Sequence, residues 1–289
     1  MHRTFFLQNV LRQPASIIFL ITCFLFTFCS WKVVAQGNLM ITPRRVLFEG
    51  QKKIQELNLA NTGKDSAHYL ISMLEIRMNN DGTFDQISVP DSGQNFASNY
   101  IRFFPRSVAL GPGEAQTIKI QITKQNQLVP GEYRSHIYFR AVPEEKPLGE
   151  KEIRKDTSEI SVRLIPIFGI SIPVIIRVGE STSAVDLTNT TFEMLHNDTP
   201  VLNMVFNRTG NMSVYGDIKI DFISLQGKIT QVGEIKGIAV YTPTSSRSIR
   251  VSLEKIAGID YKTGKLHIVY KTPSDAKSLK IAETELVLF

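Results

Sequence analysis

Between Arg163 and Arg177 the chain carries no charged side chain, and residues 164–176 read LIPIFGISIPVII. A run this apolar has three fates: a membrane span, a core element, or a surface kept for a partner. A spanning helix needs about 20 apolar residues, and Pro166, Gly169 and Pro173 each weaken a helix. The β-branched content favours strand, and proline within a sheet is confined to edges and bulges. The expectation is a long edge strand over residues 159–179. Successive side chains alternate faces, so Ile160, Val162, Leu164, Pro166, Phe168 and Ile170 share one face. A long apolar edge invites aggregation unless something covers it. It is either buried within the protein itself or held for strand addition to a partner, and both readings stand at this point.

The rest of the chain also reads as strand. IQELNLAN (residues 54–61) and TIKIQIT (residues 117–123) alternate apolar and polar residues, each beside turn chemistry, NTGKDS and GPGEAQ. VPGE precedes YRSHIYFRAV, and after a small, polar stretch, VGESTSA (residues 178–184), strand patterns resume to the end of the chain. Short strands at this spacing indicate β-sandwiches. The polar stretch is the best domain boundary. PEEKPLGEKEIRKDTSE (residues 143–159) reads as a long charged loop.

Residues 1–35 read as a secretory signal peptide. Arg3 and Arg12 precede the uncharged run SIIFLITCFLFTFCS, and VVA ends at Ala35. A retained anchor is the competing reading, and Thr22 before Cys23 argues against a lipoprotein. Cleavage removes both cysteines, Cys23 and Cys29, so the remaining chain folds without a disulfide. It also removes Arg3, Arg12 and Lys32 and no acid, lowering the net charge from +6 to +3. With no basic cluster left, nucleic-acid binding has little support. The 43% hydrophobic and 21% charged composition is that of a globular protein rather than a disordered one.

PRRVLFEG, IRFFPRSVALGPGEAQTIKIQ, GEYRSHIYFRAVP, the apolar strand ending IIRV, and GIDYKTGKL occur in this order. In that order and spacing, behind a signal peptide, they resemble the periplasmic pilus chaperones of the chaperone–usher pathway, the PapD-like family. The resemblance implies an all-β protein of two immunoglobulin-like β-sandwich domains in a boomerang arrangement, over residues 36–178 and 179–289. It implies a chaperone that completes an unfinished pilus or fimbrial subunit with its own edge strand and delivers it to an outer-membrane usher. Arg45 falls on the family's cleft arginine, the anchor for the subunit's terminal carboxylate; a guanidinium suits that task because it grips a carboxylate with two parallel bonds. The family's second anchor is a strand lysine, and Pro173 stands at its position here. Arg45 then anchors alone, another basic group substitutes, or the anchor is lost. The donor positions map onto Val162, Leu164, Pro166 and Phe168. The family's interdomain ion-pair network maps onto Glu132, Arg177 and Asp260.

Catalysis finds no support. His68, His136, His196 and His267 are widely spaced, no cysteine remains to join them in a metal site, and no nucleophile or phosphate-loop motif occurs. The expectations are therefore no enzyme activity, no cofactor, no metal, no small-molecule substrate and a periplasmic location. The partners expected are a subunit and an usher, with self-association through the donor edge as an open alternative. The competing function is a non-enzymatic structural or adhesive module that buries the apolar strand in its own core.

Overall fold

The structure is a computed structural model that describes residues 39–143, 167–196, 198–273 and 278–289. The expected signal peptide and the donor positions Val162, Leu164 and Pro166 lie outside the described residues. Among the described residues regular structure is strand, apart from two short 3₁₀ turns. In the first sandwich the strands are β1 (Leu39–Thr42), β2 (Val46–Phe48), β3 (Ile54–Asn61), β4 (Ala67–Leu74), β5 (Ile76–Met78), β6 (Phe84–Gln86), β7 (Ile101–Phe104), β8 (Ser107–Leu110), β9 (Ala115–Ile122), β10 (Gly131–Val142) and β11 (Gly169–Val178). One sheet runs β1-β3-β9-β7 and the other β2-β11-β10-β4-β8, while β5 and β6 form a separate hairpin.

Period-2 sequence becomes period-2 burial. Leu57 and Leu59 on β3, and Ile118 and Ile120 on β9, are fully buried, while Asn58 and Lys119 between them face out. They meet Ile137 and Phe139 of β10 and Val174 and Ile176 of β11 from the opposite sheet in one core. The second sandwich contains β12 (Ala184–Leu195), β13 (Thr199–Thr209), β14 (Val214–Ile223), β15 (Ile229–Val240), β16 (Ser246–Ser252), β17 (Gly264–Lys271) and β18 (Lys280–Leu288). Its sheets, β12-β13-β16 and β15-β14-β17-β18, close over Leu202, Met204, Phe206, Ile218, Ile220, Ile268 and Tyr270. The expected all-β fold of two sandwiches is what the chain adopts.

Two features depart from simple alternation. From Glu132 to Ile137, β10 is buried on both faces, because a third cluster covers its outer side: Ile175 packs with Met78, Ala239 and Tyr241, the last two from the second sandwich. The apolar strand is also not an edge throughout. Antiparallel to β10 along its length, β11 takes β2 as a parallel partner over Val174–Ile176. Among the described residues its other edge has no partner over Gly169–Pro173, and Pro173 sits one residue before the β2 pairing begins. A residue without an N–H is tolerated at that boundary.

Gly210 joins β13 to the loop that packs on residues 182 and 183. Its φ is +83°, and a Cβ there would lie 2.5 Å from the Thr182 carbonyl oxygen. Gly113 also has a positive φ, +73°, but open space around it. Gly210→Ala is expected to lower the urea unfolding free energy by about 2 kcal/mol or more, through backbone strain plus the clash, and Gly113→Ala by only about 1 kcal/mol.

Candidate functional site

The outer face of β10 presents Glu132, Arg134 and His136 in alternation, all at most 3% exposed. Register places Arg177, Ile175 and Pro173 of β11 opposite them. Val46 of β2 lies opposite Val174, so Arg45, just before β2, enters beside Pro173. These side chains meet residues 213–215 and 239–242 of the second sandwich.

Glu132 is the satisfied member. Its side chain is wholly buried, and it accepts hydrogen bonds from Arg177 Nε (3.0 Å), Ser213 N (3.0 Å), Ser213 Oγ and Thr242 Oγ1 (3.2 Å). Arg177 also donates to Glu49 Oε1 (3.0 Å) and to the Ser213 carbonyl (2.6 Å). The structure pairs Glu132 with Arg177 and leaves Asp260 apart from them. The Asp260 carboxylate is exposed and accepts from its own turn, Lys262 N at 3.0 Å. Its neighbour Tyr261 ties that turn into the second core, stacking on Phe192 and donating to the Glu254 carbonyl. The place that the resemblance gave to Asp260 is filled by Ser213 and Thr242.

The arginines are the unsatisfied members. The Arg45 guanidinium lies 4.5 Å from the Tyr215 ring centroid, and its Nε and Nη2 are buried with no hydrogen-bond partner. Arg134 stacks on Tyr241, also at 4.5 Å. Its Nη2 donates to the Thr242 carbonyl at 3.2 Å, but Nε and Nη1 have no partner. Among the described residues neither guanidinium has a carboxylate within ion-pair distance. Burial lowers the pKa of both. His136, edge-on to Phe84 and Tyr241, has its pKa lowered to about 3, by burial first and by the Arg134 charge second.

The β11 edge supplies an apolar surface. Side chains on one face become steadily more exposed toward the strand's start: Val174 0%, Ile172 5%, Ile170 38%, Phe168 58%. Phe168, the one expected donor position among the described residues, precedes the strand proper and accepts a bond from Ala141 N at 3.0 Å. Arg134, Ser213, Tyr215 and Tyr241 were not singled out from sequence. The alternation Glu132, Arg134, His136 was the available signal, and it reads as a solvent face until the second sandwich covers it. Among the described residues no three His, Cys, Asp or Glu side chains gather into a metal-binding group, and no helix is long and apolar enough to cross a membrane.

No family model matches the chain, and no curated protein matches it. Solved structures similar to it over most of its length are chaperones of fimbria and pilus assembly. The class 5 fimbriae chaperone CfaA is 15% identical, with 87% of this chain and 99% of that chain covered and a TM-score of 0.41. The E. coli chaperone DraB is 16% identical, with 88% and 98% covered and a TM-score of 0.41. The SafB chaperone, solved in complex with the Salmonella enterica SafA pilin, is 13% identical, with 88% and 98% covered and a TM-score of 0.40.

Two outcomes are expected. Glu132→Ala strips four donors of their acceptor and should lower stability by about 3–5 kcal/mol in urea unfolding. His136, neutral when folded, has a folded pKa below its unfolded value near 6.5. Its contribution is therefore fully present above pH 6.5 and is lost as pH falls toward about 3. His136→Leu should flatten the stability profile across that window, and an unchanged slope would place the acid sensitivity elsewhere.

Proposed function

We propose that this protein is a non-enzymatic periplasmic chaperone that holds pilus or fimbrial subunits by donor-strand complementation and passes them to an outer-membrane usher. The observation that carries the reading is the β11 edge. An apolar face leaves the core with rising exposure, from Val174 through Ile172 and Ile170 to Phe168, along a segment whose backbone edge has no partner over Gly169–Pro173 among the described residues. Such an edge is a template for a further strand. Each apolar side chain taken up by a partner contributes roughly 1.5–3 kcal/mol, and the backbone ladder adds register. Val162, Leu164 and Pro166 continue that face in sequence, and the proposal includes them as donors.

Arg45 is the proposed anchor for the subunit's terminal carboxylate. A guanidinium with two unpartnered nitrogens, over an aromatic ring beside the proposed donor strand, supports that role. Glu132 and Arg177, with Ser213 in place of Asp260, would hold the two sandwiches in the geometry the anchor needs. The sequence motifs shared with the pilus chaperones point the same way.

The test is co-purification of the mature protein with subunits from its own periplasm. Ile170→Glu should abolish capture while leaving the free protein's stability within about 1 kcal/mol, because Ile170 is already partly exposed. Arg45→Ala removes charged hydrogen bonds of about 1.5–3 kcal/mol and should weaken capture roughly tenfold to hundredfold. Recovery of the wild-type protein alone, as a soluble monomer, would instead favour a structural module.

A further inference from the structure

The β5–β6 hairpin belongs to neither sheet of the first sandwich. A two-stranded hairpin alone is at best marginally stable in water, so its support comes from what it rests on. The turn at its tip is closed internally. Gly82 N donates to the Asn79 carbonyl (2.9 Å), Asn79 N to the Thr83 carbonyl (2.8 Å), and Thr83 N and Oγ1 to Asp81 Oδ1 (2.9 and 2.6 Å). The carbonyls of Met78 and Asn80 accept from the second sandwich: Thr244 Oγ1 donates to the first and Ser248 N to the second, each at 2.6 Å. Ser248 lies on β16, an edge strand of its sheet. One side of β16 pairs with β13; the other has no strand partner among the described residues, and Ser248 N turns to that side. An edge left bare is a template for a foreign strand. Arg247 completes the contact. Its Nη1 donates to the Ala239 carbonyl of β15, and its guanidinium covers Gly82, where a Cβ would lie 2.7 Å from Nε and Nη2. Gly82 has a φ of +84°, so both the turn and the arginine call for glycine. Behind the tip, Met78 packs with Ile175, Ala239 and Tyr241, and the Phe84 ring of β6 lies 6.1 Å from His136 and 6.3 Å from Tyr241.

We infer that the hairpin is a clasp: it caps the bare edge of β16 and ties the second sandwich to the first through residues that the Glu132 network does not use. Domains joined through one small contact move relative to each other by default. A body held at one point pivots, and a second attachment removes that freedom. Gly82, Thr244 and Arg247 are therefore positioning residues, which act by fixing how the second sandwich stands against β11. Their consequence for subunit capture rests on the proposed function; the clasp itself does not.

The experiment is amide hydrogen exchange, followed residue by residue by NMR on the purified mature protein, for wild type, Thr244→Val, Arg247→Ala and the double variant. Spin labels at Lys119→Cys in the first sandwich and Lys228→Cys in the second report the distance between the two. Both positions are exposed, and the natural cysteines, Cys23 and Cys29, are absent from the mature chain. In wild type the Ser248 amide should be protected although it faces away from β13, and the labels should give one narrow distance distribution. In the double variant Ser248 should exchange about tenfold faster and the distribution should broaden, while amides of β3, β9, β14 and β17 keep their wild-type rates. If Arg247→Ala fails to fold, Thr244→Val decides by the same two readouts. An unprotected Ser248 in wild type, or a distribution that stays narrow in the variants, overturns the clasp. Co-purification with subunits reads the consequence. Capture should fall as the distribution broadens, although the β11 sequence is untouched; undiminished capture by a broadened variant overturns the positioning role. If the wild type captures no subunit, the proposed function fails and the exchange and distance results still decide the clasp.

Discussion

The buried Glu132 carboxylate is the interaction on which the rest depends. An ionised group without water is costly by several kcal/mol even after relaxation, and only good geometry with further hydrogen bonds repays it. Its donors come from three separate places: Arg177 on the neighbouring strand, Ser213 before β14 and Thr242 after β15. No single sandwich can supply them. Satisfying Glu132 therefore requires residues 213 and 242 to be brought to the outer face of β10, which also sets Tyr215 and Tyr241 against the first sandwich. Arg208 reinforces the same loops by donating to the carbonyls of Gly210, Met212 and Thr244.

The same docking leaves the neighbouring cations in the opposite condition. Docking buries Arg134 of β10 and the head group of Arg45, just before β2, but gives them rings and one carbonyl rather than anions. A cation over an aromatic face recovers roughly 0.5–2 kcal/mol, less than desolvation takes. Within one interface, the acid is over-provided with donors and the bases are under-provided with acceptors. Such asymmetry is hard to explain as stability design, since apolar side chains would pack there without penalty.

How much of this was legible depends on the range of the determining contacts. Strands such as β3 and β9 were legible because alternation and flanking turn residues are local, and their burial follows the period of two. The pairing of Glu132 with Arg177 had no local signal; the resemblance alone implied it, together with Asp260. The short parallel pairing of β2 with β11 was not legible: three residues, VLF, carry no directional signal, and their partner lies more than a hundred residues away. Nor were Arg134 and Tyr241. On β10 the run Glu132, Arg134, His136 has the pattern of a solvated face, and only the distant segment 239–242 converts it to a buried one. Asp260 went astray for a related reason. Its motif sits in a turn whose direction is set by Tyr261 packing into the second core, a tertiary choice that the motif does not encode.

Pro173 ties these threads together. It stands where β11 changes role, between a half locked to β2 and β10 and a half whose outer edge is open. A donor-capable residue at that point could continue the β2 ladder and close the edge from within; proline cannot extend it. Gly169, at the far end of the open segment, has no side chain, and a Cβ there would strike the Tyr138 phenol, which lies across it. The open edge is thus bounded by a residue that cannot donate and by one with an aromatic ring over its backbone. Between them Ile170 and Ile172 carry the apolar face outward. The same proline leaves no basic side chain at that position of β11, opposite His136 of β10.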